Sequence, residues 1–306
     1  MKTILVTGGA GFIGSHLVDK LIDSGYEVAV IDNLSTGSKL NLNKKAKFYK
    51  SDIQDKKVSD IFAKEKPDAV FHYAAQISVR ESVSNPLEDA KTNILGSLNI
   101  FENCKKYKVK KVIFSSSGGS IYGDTDVFPT DETAKEAPLS PYAVAKLSVE
   151  KYLYFYYKSF GLDFVALRLA NIYGPRQNSK GEAGVIAIFS GKMIAGEKIY
   201  INGSGKQTRD FVFVEDVAEA GKMALEKDKM GVFNLGTGQE TDINTLFKKI
   251  RKILNSDCEE AHGPAQAGES KRSCLDSSKI KKVLGWSPKY NLDEGLKITA
   301  DWFGNK

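Results

Sequence analysis

Tyr142 and Lys146 stand four residues apart in SPYAVAKLSVEKY, Ser140 to Tyr152, a stretch that opens as a helix with Ser-Pro at its entry. Side chains at that spacing share a helix face. A free phenol has a pKa near 10, and a neighbouring cation favours its charged form. The pair is therefore a candidate base with the charge that tunes it. Most such pairs lie inert on a surface, so the rest of the chain must decide.

Two further groups of residues bear on it. TGGAGFIGSH sets Gly8, Gly11 and Gly14 between a β-branched run and the start of a helix. Such glycines permit a tight turn, close approach of a pyrophosphate and close helix–strand packing. The helix start adds free amides and a positive dipole end. Asp32 closes the next apolar run, where a carboxylate would hold the adenosine ribose hydroxyls and repel a 2′-phosphate. NAD is expected over NADP. The third member of the catalytic group should be a hydroxyl at the C-terminal end of a strand, the usual ligand side of such sheets. FSSSGGSIYG offers Ser117 as first choice, with Ser116 and Ser120 as alternatives.

These residues need a frame. Apolar runs recur at TILVT (Thr3 to Thr7), EVAVID (Glu27 to Asp32), AKFYKSD (Ala46 to Asp52), DAVFHYAA (Asp68 to Ala75), KVIFSSS (Lys111 to Ser117) and DFVALRLA (Asp163 to Ala170). Helical segments alternate with them, two long ones spanning Pro86 to Lys106 and Tyr142 to Phe160. That alternation predicts an α/β, doubly wound parallel sheet of Rossmann type with helices on both faces. After Asn171 the texture becomes Gly- and Pro-rich, which predicts a smaller C-terminal lobe and a ligand cleft between the two. The expected division is 1–170, with 211–235 returning to it, for the dinucleotide. Residues 171–210 and 236–306 would hold the substrate.

Composition narrows the class. The 306 residues are 42% hydrophobic and 27% charged, and the net charge of +6 is dispersed, which argues against a nucleic-acid surface. Three scattered cysteines, Cys104, Cys258 and Cys274, lack metal-ligand spacing and suggest reduced thiols. No apolar run approaches bilayer length and the N-terminus enters a strand at once, so a soluble cytoplasmic protein is expected.

The glycine pattern with the downstream Tyr-x-x-x-Lys resembles the extended short-chain dehydrogenase/reductases, and more narrowly the UDP-glucose 4-epimerase type. TGGAGFIG, IDNLSTG, SDIQD, HYAAQ, FSSSGGSIYGD, SPYAVAK, LRLANIYGPR, GEAGVIAIF, GSGKQTRDFVFVEDV, NLGTG and LGW carry the likeness along essentially the whole chain. The resemblance implies that Phe12 and Ile13 join the glycines at the phosphates. Asn33, Ser35, Thr36 and Gly37 would surround the adenosine ribose, and Asp52 and Ile53 the adenine. Tyr73, Ala74, Ala75, Asn93 and Ser115 would follow the cofactor to the nicotinamide end, where Lys146 also meets the ribose. It implies that Tyr142 takes the proton of the sugar 4-hydroxyl while hydride passes from the 4-carbon to NAD. The 4-keto sugar then turns over and regains hydride on its other face.

The same resemblance implies UDP-sugar contacts from Asn171, Gly184, Val185 and Arg209, and from Arg80 if the sugar is acidic. The usual Arg-x-Gly-Asp/Glu is here Gln266-Ala267-Gly268-Glu269, which keeps the acid, Glu269, and loses the arginine. Four residues beyond, small Ser273 leaves room that a tyrosine would fill, so acetamido sugars are expected beside UDP-glucose and UDP-galactose. The chain has one more residue between its serines and Tyr122-Gly123 than the commonest family pattern, which keeps Ser116 and Ser120 in play. Related dehydratases and decarboxylases, including those acting on UDP-glucuronate, carry an acidic residue just after the catalytic hydroxyl. Gly118 to Ser120 has none. A non-catalytic NAD-binding regulator would be expected to lack Tyr142 or Lys146. Pairing of the two long helices between copies predicts a homodimer.

Overall fold

The computed structural model describes residues 2–179, 184–265 and 270–305. Strand β1 (Thr3–Thr7) runs into α1 (Phe12–Asp23), followed by β2 (Glu27–Asp32), β3 (Lys47–Lys50), α2 (Val58–Glu65) and β4 (Ala69–His72). Next come the short α3 (Val79–Ser84), α4 (Pro86–Ala90) and α5 (Gly96–Lys106), β5 (Lys111–Ser117), the one-turn α6 (Gly118–Ile121), α7 (Pro141–Phe160) and β6 (Asp163–Leu169). With a later strand these form a seven-stranded parallel sheet in the order β3-β2-β1-β4-β5-β6 and then residues 231–235.

The continuous apolar runs have a direct cause. In β1, Ile4 and Val6 join the core layer beneath α1, while Leu5 joins the layer beneath α2, α5 and α7. Alternate side chains point to opposite faces, and both faces are covered, so most positions along the strand favour apolar residues. The expected doubly wound sheet is what forms. Strand order reverses between β1 and β4, which opens a crevice at their C-terminal ends.

Beyond β6 lie β7 (Asn171–Tyr173), α8 (Val185–Ile194), β8 (Tyr200–Asn202), β9 (Thr208–Phe213), α9 (Val214–Glu226) and β10 (Gly231–Leu235). The chain ends with β11 (Glu240–Asp242), α10 (Ile243–Ile253), β12 (Ala261–Gly263), α11 (Ser278–Leu284) and α12 (Leu292–Gly304). Helix α9 packs on α1 and β10 completes the large sheet beside β6. Strand β9, including residues 211–213, instead joins β7 and β11 in a small second sheet. Tyr173, Phe189, Phe213, Phe247 and Leu296 form that lobe's own core. Among the described residues no helix is long and apolar enough to cross a membrane.

Two local features depart from the expected pattern. The long helix from Pro86 to Lys106 is interrupted by a π-helical turn over Lys91–Leu95, an insertion often found at functional sites. Helix α3 was not foreseen, since six residues of VRESVS show no clear periodicity.

Candidate active site

The loop between β1 and α1 is built around glycine. Gly8 has φ +73°, and a Cβ there would lie 2.6 Å from the backbone nitrogen of Ala74. A Cβ on Gly14 would lie 2.2 Å from the carbonyl oxygen of Gly8. Both positions thus exclude any side chain. Gly11 is the N-cap of α1 and supplies no side-chain cap, which leaves the first-turn amides of Phe12 and Ile13 with the dipole end for an anion. Buried Asp32 accepts from Ala10 N at 3.0 Å and Leu34 N at 2.8 Å, locking its carboxylate to the rim of this loop. A carboxylate accepts about four hydrogen bonds, so capacity remains for a diol. Gly37 approaches Ala10 and Asp32 so closely that a Cβ would sit 3.0 Å from Asp32 Oδ1. Asn33 donates to Asp52 Oδ2 at 2.7 Å and accepts from Ser35 N, while Ser35 and Thr36 stay exposed. A dinucleotide fits this cradle.

Ile53, expected beside the adenine, is buried against Gly96, where a Cβ would meet it at 2.7 Å. Tyr73 turns its hydroxyl toward Gly221 on α9, where it is buried without a partner among the described residues. Tyr73 N and Ala74 N are both held by Thr7 Oγ1 at 3.2 Å, so Tyr73, Ala74 and Ala75 keep to the sheet edge. Asn93 is buried, but its amide donates to Gln76 O and Asp89 Oδ1 and accepts from Gln76 N. Its two donors are consumed in fixing the loop after β4.

Helix α7 begins where the sequence indicated: the Ser140 hydroxyl accepts from Ala143 N and Pro141 occupies the first turn. Ser117 lies close enough to the Tyr142 phenol to favour its charged form, and Ser120 donates to Ser117 Oγ at 2.8 Å. Ser116 lies on the other face of β5 and donates to buried Glu150 at 2.5 Å. The three serines are thereby separated: Ser117 meets the phenol, Ser120 supports Ser117, and Ser116 belongs to the core.

Lys146 is buried, donates to Ser115 O at 2.8 Å, and lies 5.7 Å from the centre of the Tyr142 ring. Burial pulls its pKa down to about 8, against Asp89 and Glu150, which raise it. The phenol is pushed up to about 12, by burial first and then by the charge of Asp89, with Ser117 opposing. This is the opposite of the lowering expected from Lys146, because desolvation of the phenolate dominates.

A buried ion pair steadies these parts. Arg168 on β6 donates to Glu150 Oε2 at 2.7 Å, Tyr122 Oη at 2.9 Å and Glu136 Oε1 at 2.8 Å. Sequence reading missed Glu150, Arg168 and Asp89. Glu150 was findable four residues after Lys146 on the same helix face, as was Asp89 four before Asn93.

On the substrate side, a Cβ at Gly119 would lie 3.7 Å from Ser273 Oγ and 3.9 Å from Asn171 Oδ1, so these three residues converge beside Ser117. Ser273 is buried in a narrow recess also lined by Gly118, Tyr122, Thr130 and Arg272. Arg272 pairs with Glu240 and stacks 4.2 Å over Phe128. Gly184 caps α8 ahead of Val185, near the Gln177 side chain. Arg209 donates to Thr208 O at 2.8 Å, and Arg80 lies on exposed α3. Gln266 and Glu269 lie outside the described residues. A second cavity of about 210 Å³, lined by Phe211, Thr237, Lys289 and Tyr290, contains none of the expected site residues.

Comparison with known proteins adds to this geometry. Residues 4–236 match the model of the NAD dependent epimerase/dehydratase family. The UDP-glucose 4-epimerase of Mycolicibacterium smegmatis is 43% identical over 312 residues, covering 100% of this chain and 99% of its own. The UDP-glucose 4-epimerase of Thermotoga maritima, solved with UDP-glucose, superposes with a TM-score of 0.97 at 52% identity, covering 98% of each chain. The UDP-N-acetylglucosamine 4-epimerase of Methanobrevibacter ruminantium, in complex with UDP-N-acetylmuramic acid, gives a TM-score of 0.94 at 41% identity, covering 99% of this chain and 98% of its own.

Proposed function

Because the chain belongs to the NAD dependent epimerase/dehydratase family, we propose that it interconverts UDP-glucose with UDP-galactose and the corresponding N-acetylhexosamines through a 4-keto sugar. It is an enzyme of the UDP-hexose 4-epimerase type and its cofactor is NAD. The catalytic reading is carried by the convergence of Tyr142 with buried Lys146, 5.7 Å from the ring centre, beside Ser117 at the end of β5.

In this reading NAD supplies a hydride acceptor and donor at the sugar 4-carbon. Gly8, Gly11, Gly14 and the first turn of α1 hold its pyrophosphate, and Asp32 its adenosine ribose. Tyr142 accepts the proton of the sugar 4-hydroxyl, and Ser117 orients that oxygen. With its phenol pushed up to about 12 in the unliganded site, Tyr142 rests protonated at neutral pH. It becomes a base only beside added positive charge, which restricts the chemistry to the loaded enzyme. After the keto sugar turns over, the phenol returns the proton and the site is restored.

Asn171, Gly184, Val185 and Arg209 are proposed to hold the UDP moiety, with residues 171–210 and 236–306 forming its lobe. Gly119 and Ser273 are both small, which supports acceptance of a 2-acetamido group. The UDP-N-acetylglucosamine 4-epimerase neighbour favours the same breadth. We also propose a homodimer through the segments Pro86 to Lys106 and Tyr142 to Phe160.

Incubation of the pure protein with UDP-glucose, UDP-N-acetylglucosamine and UDP-glucuronate, with separation of the products, tests the reaction. Ser273→Tyr should spare the hexoses and depress turnover of the acetamido sugars. Unchanged relative rates would remove Ser273 as the gate. A decarboxylated or 4,6-dehydrated product would replace the epimerase reading.

A further inference from the structure

Asp89 is a buried carboxylate with no place in the reaction as derived so far. It sits on α4, which packs against α7, and is 2% exposed. Oδ1 accepts from Gln76 Nε2 at 2.9 Å and Asn93 Nδ2 at 2.8 Å. Oδ2 is buried and has no hydrogen-bond partner among the described residues. A carboxylate oxygen left so loses the hydration it would have in water, so a carboxyl kept there calls for a role beyond holding two amides.

The buried cation across the α4–α7 packing is Lys146, whose charge holds the Asp89 carboxyl down against the rise that burial causes, without a direct ion pair. An ammonium has three donors, and in this structure one of them goes to Ser115 O. The other charged groups around α4 are engaged or turned outward. Glu88 pairs with Lys91 at 2.6 Å in solvent, and Arg80 and Glu81 on α3 are exposed. Glu150 on α7 is committed to Arg168 and Ser116. His72 on β4 is held between Thr7 and Ser97 hydroxyls and is neutral, its pKa drawn down to about 3 by burial.

We propose that Asp89, with its unpartnered buried oxygen on α4, is the through-space counter-charge of Lys146 on α7, a positioning residue that keeps the ammonium charged. The inference rests on the catalytic reading of Tyr142 and Lys146. Without Asp89, burial drives Lys146 toward the neutral amine within the working pH range, and the phenol loses the cation beside it. The same carboxylate also disfavours the phenolate. Asp89 therefore helps hold Tyr142 protonated until the cofactor's charge is present.

The test is a ¹³C-lysine NMR titration of the apo protein, with Lys146 assigned by its loss in Lys146→Arg. The Lys146 midpoint, near 8, should fall by about one unit in Asp89→Asn, the low end for loss of an opposite charge at close range. In the NAD-loaded enzyme the ratio of kcat at about pH 6.5 to that at about pH 8.5 should then rise roughly sixfold, the change in charged fraction for that shift. An unmoved midpoint with an equal loss at both pH values would make Asp89 a mere anchor for Gln76 and Asn93, and overturn the proposal. If Asp89→Asn does not fold, the Asp89 carboxyl ¹³C resonance of the unaltered protein decides: it must step as Lys146 titrates, and silence there overturns the proposal. The lysine titration needs no sugar, so a coupled Lys146 in a protein that turns over no UDP-sugar would refute the epimerase reading alone.

Discussion

At the scale of the residue, burial sets the protonation of the site before any ligand enters. Tyr142 is pushed up and Lys146 down because each loses hydration of its charged form. Tyr142→Phe should therefore cost at least about a hundredfold in kcat, as expected on losing a general base, while bound NAD, assayed after denaturation, stays near one per chain. Ser117→Ala and Ser116→Ala should behave oppositely, although the residues are adjacent. The first removes the phenol's partner and should lower kcat roughly tenfold or more. The second removes a hydrogen bond to Glu150 and should lower stability by about 1–2 kcal/mol, with turnover per folded molecule preserved. Measured kcat and urea midpoints of both variants check this, and a reversed pattern would reassign the serine.

At the scale of the element, α7 is steered at both ends of its catalytic stretch. Ser140 and Pro141 fix where it starts, and Glu150 ties its third turn to Arg168 on β6. Arg168→Met should leave Glu150 as an uncompensated buried charge, costing about 3–5 kcal/mol in denaturant unfolding. Adding Glu150→Gln should recover part of that loss. A double variant no more stable than the single would deny the coupling. The start of α7 was legible because capping chemistry is local. The π turn at Lys91–Leu95 was not, because an extra residue in a helix leaves the apolar spacing nearly unaltered. It nonetheless carries Asn93, which spends its donors on the loop after β4.

At the scale of the whole molecule, several large apolar side chains remain exposed on the helices flanking the large sheet. Leu87, Leu95, Tyr154, Phe155 and Phe160 are exposed on α4, the π turn, α7 and its end. Single exposed apolar residues are ordinary, but these lie on elements that pack against one another and fit the proposed dimer surface. Light scattering at micromolar concentration should give twice the mass of the chain, and Phe155→Asp combined with Leu87→Asp should give the single mass. A monomer in the unaltered protein would count against the dimer.

Local chemistry settled much of this protein in advance. The glycine spacing, the Ser-Pro helix start and the unbroken apolar runs each follow from constraints that act within a few residues, so the sequence alone determined the doubly wound sheet, the dinucleotide loop and the Tyr142–Lys146 pair. A shift of composition after Asn171 pointed to a second lobe in outline. Adjacent serines, however, differ only by which face of β5 they occupy, and that depends on what packs there. Asp89 and Arg168 read as ordinary polar positions until folding brings α4 and β6 against α7, some fifty and twenty residues away in the chain. The direction of the Tyr142 shift was equally beyond reach of the sequence, since a pair's spacing gives the sign of its attraction, and only the tertiary structure decides how much water is left to oppose it.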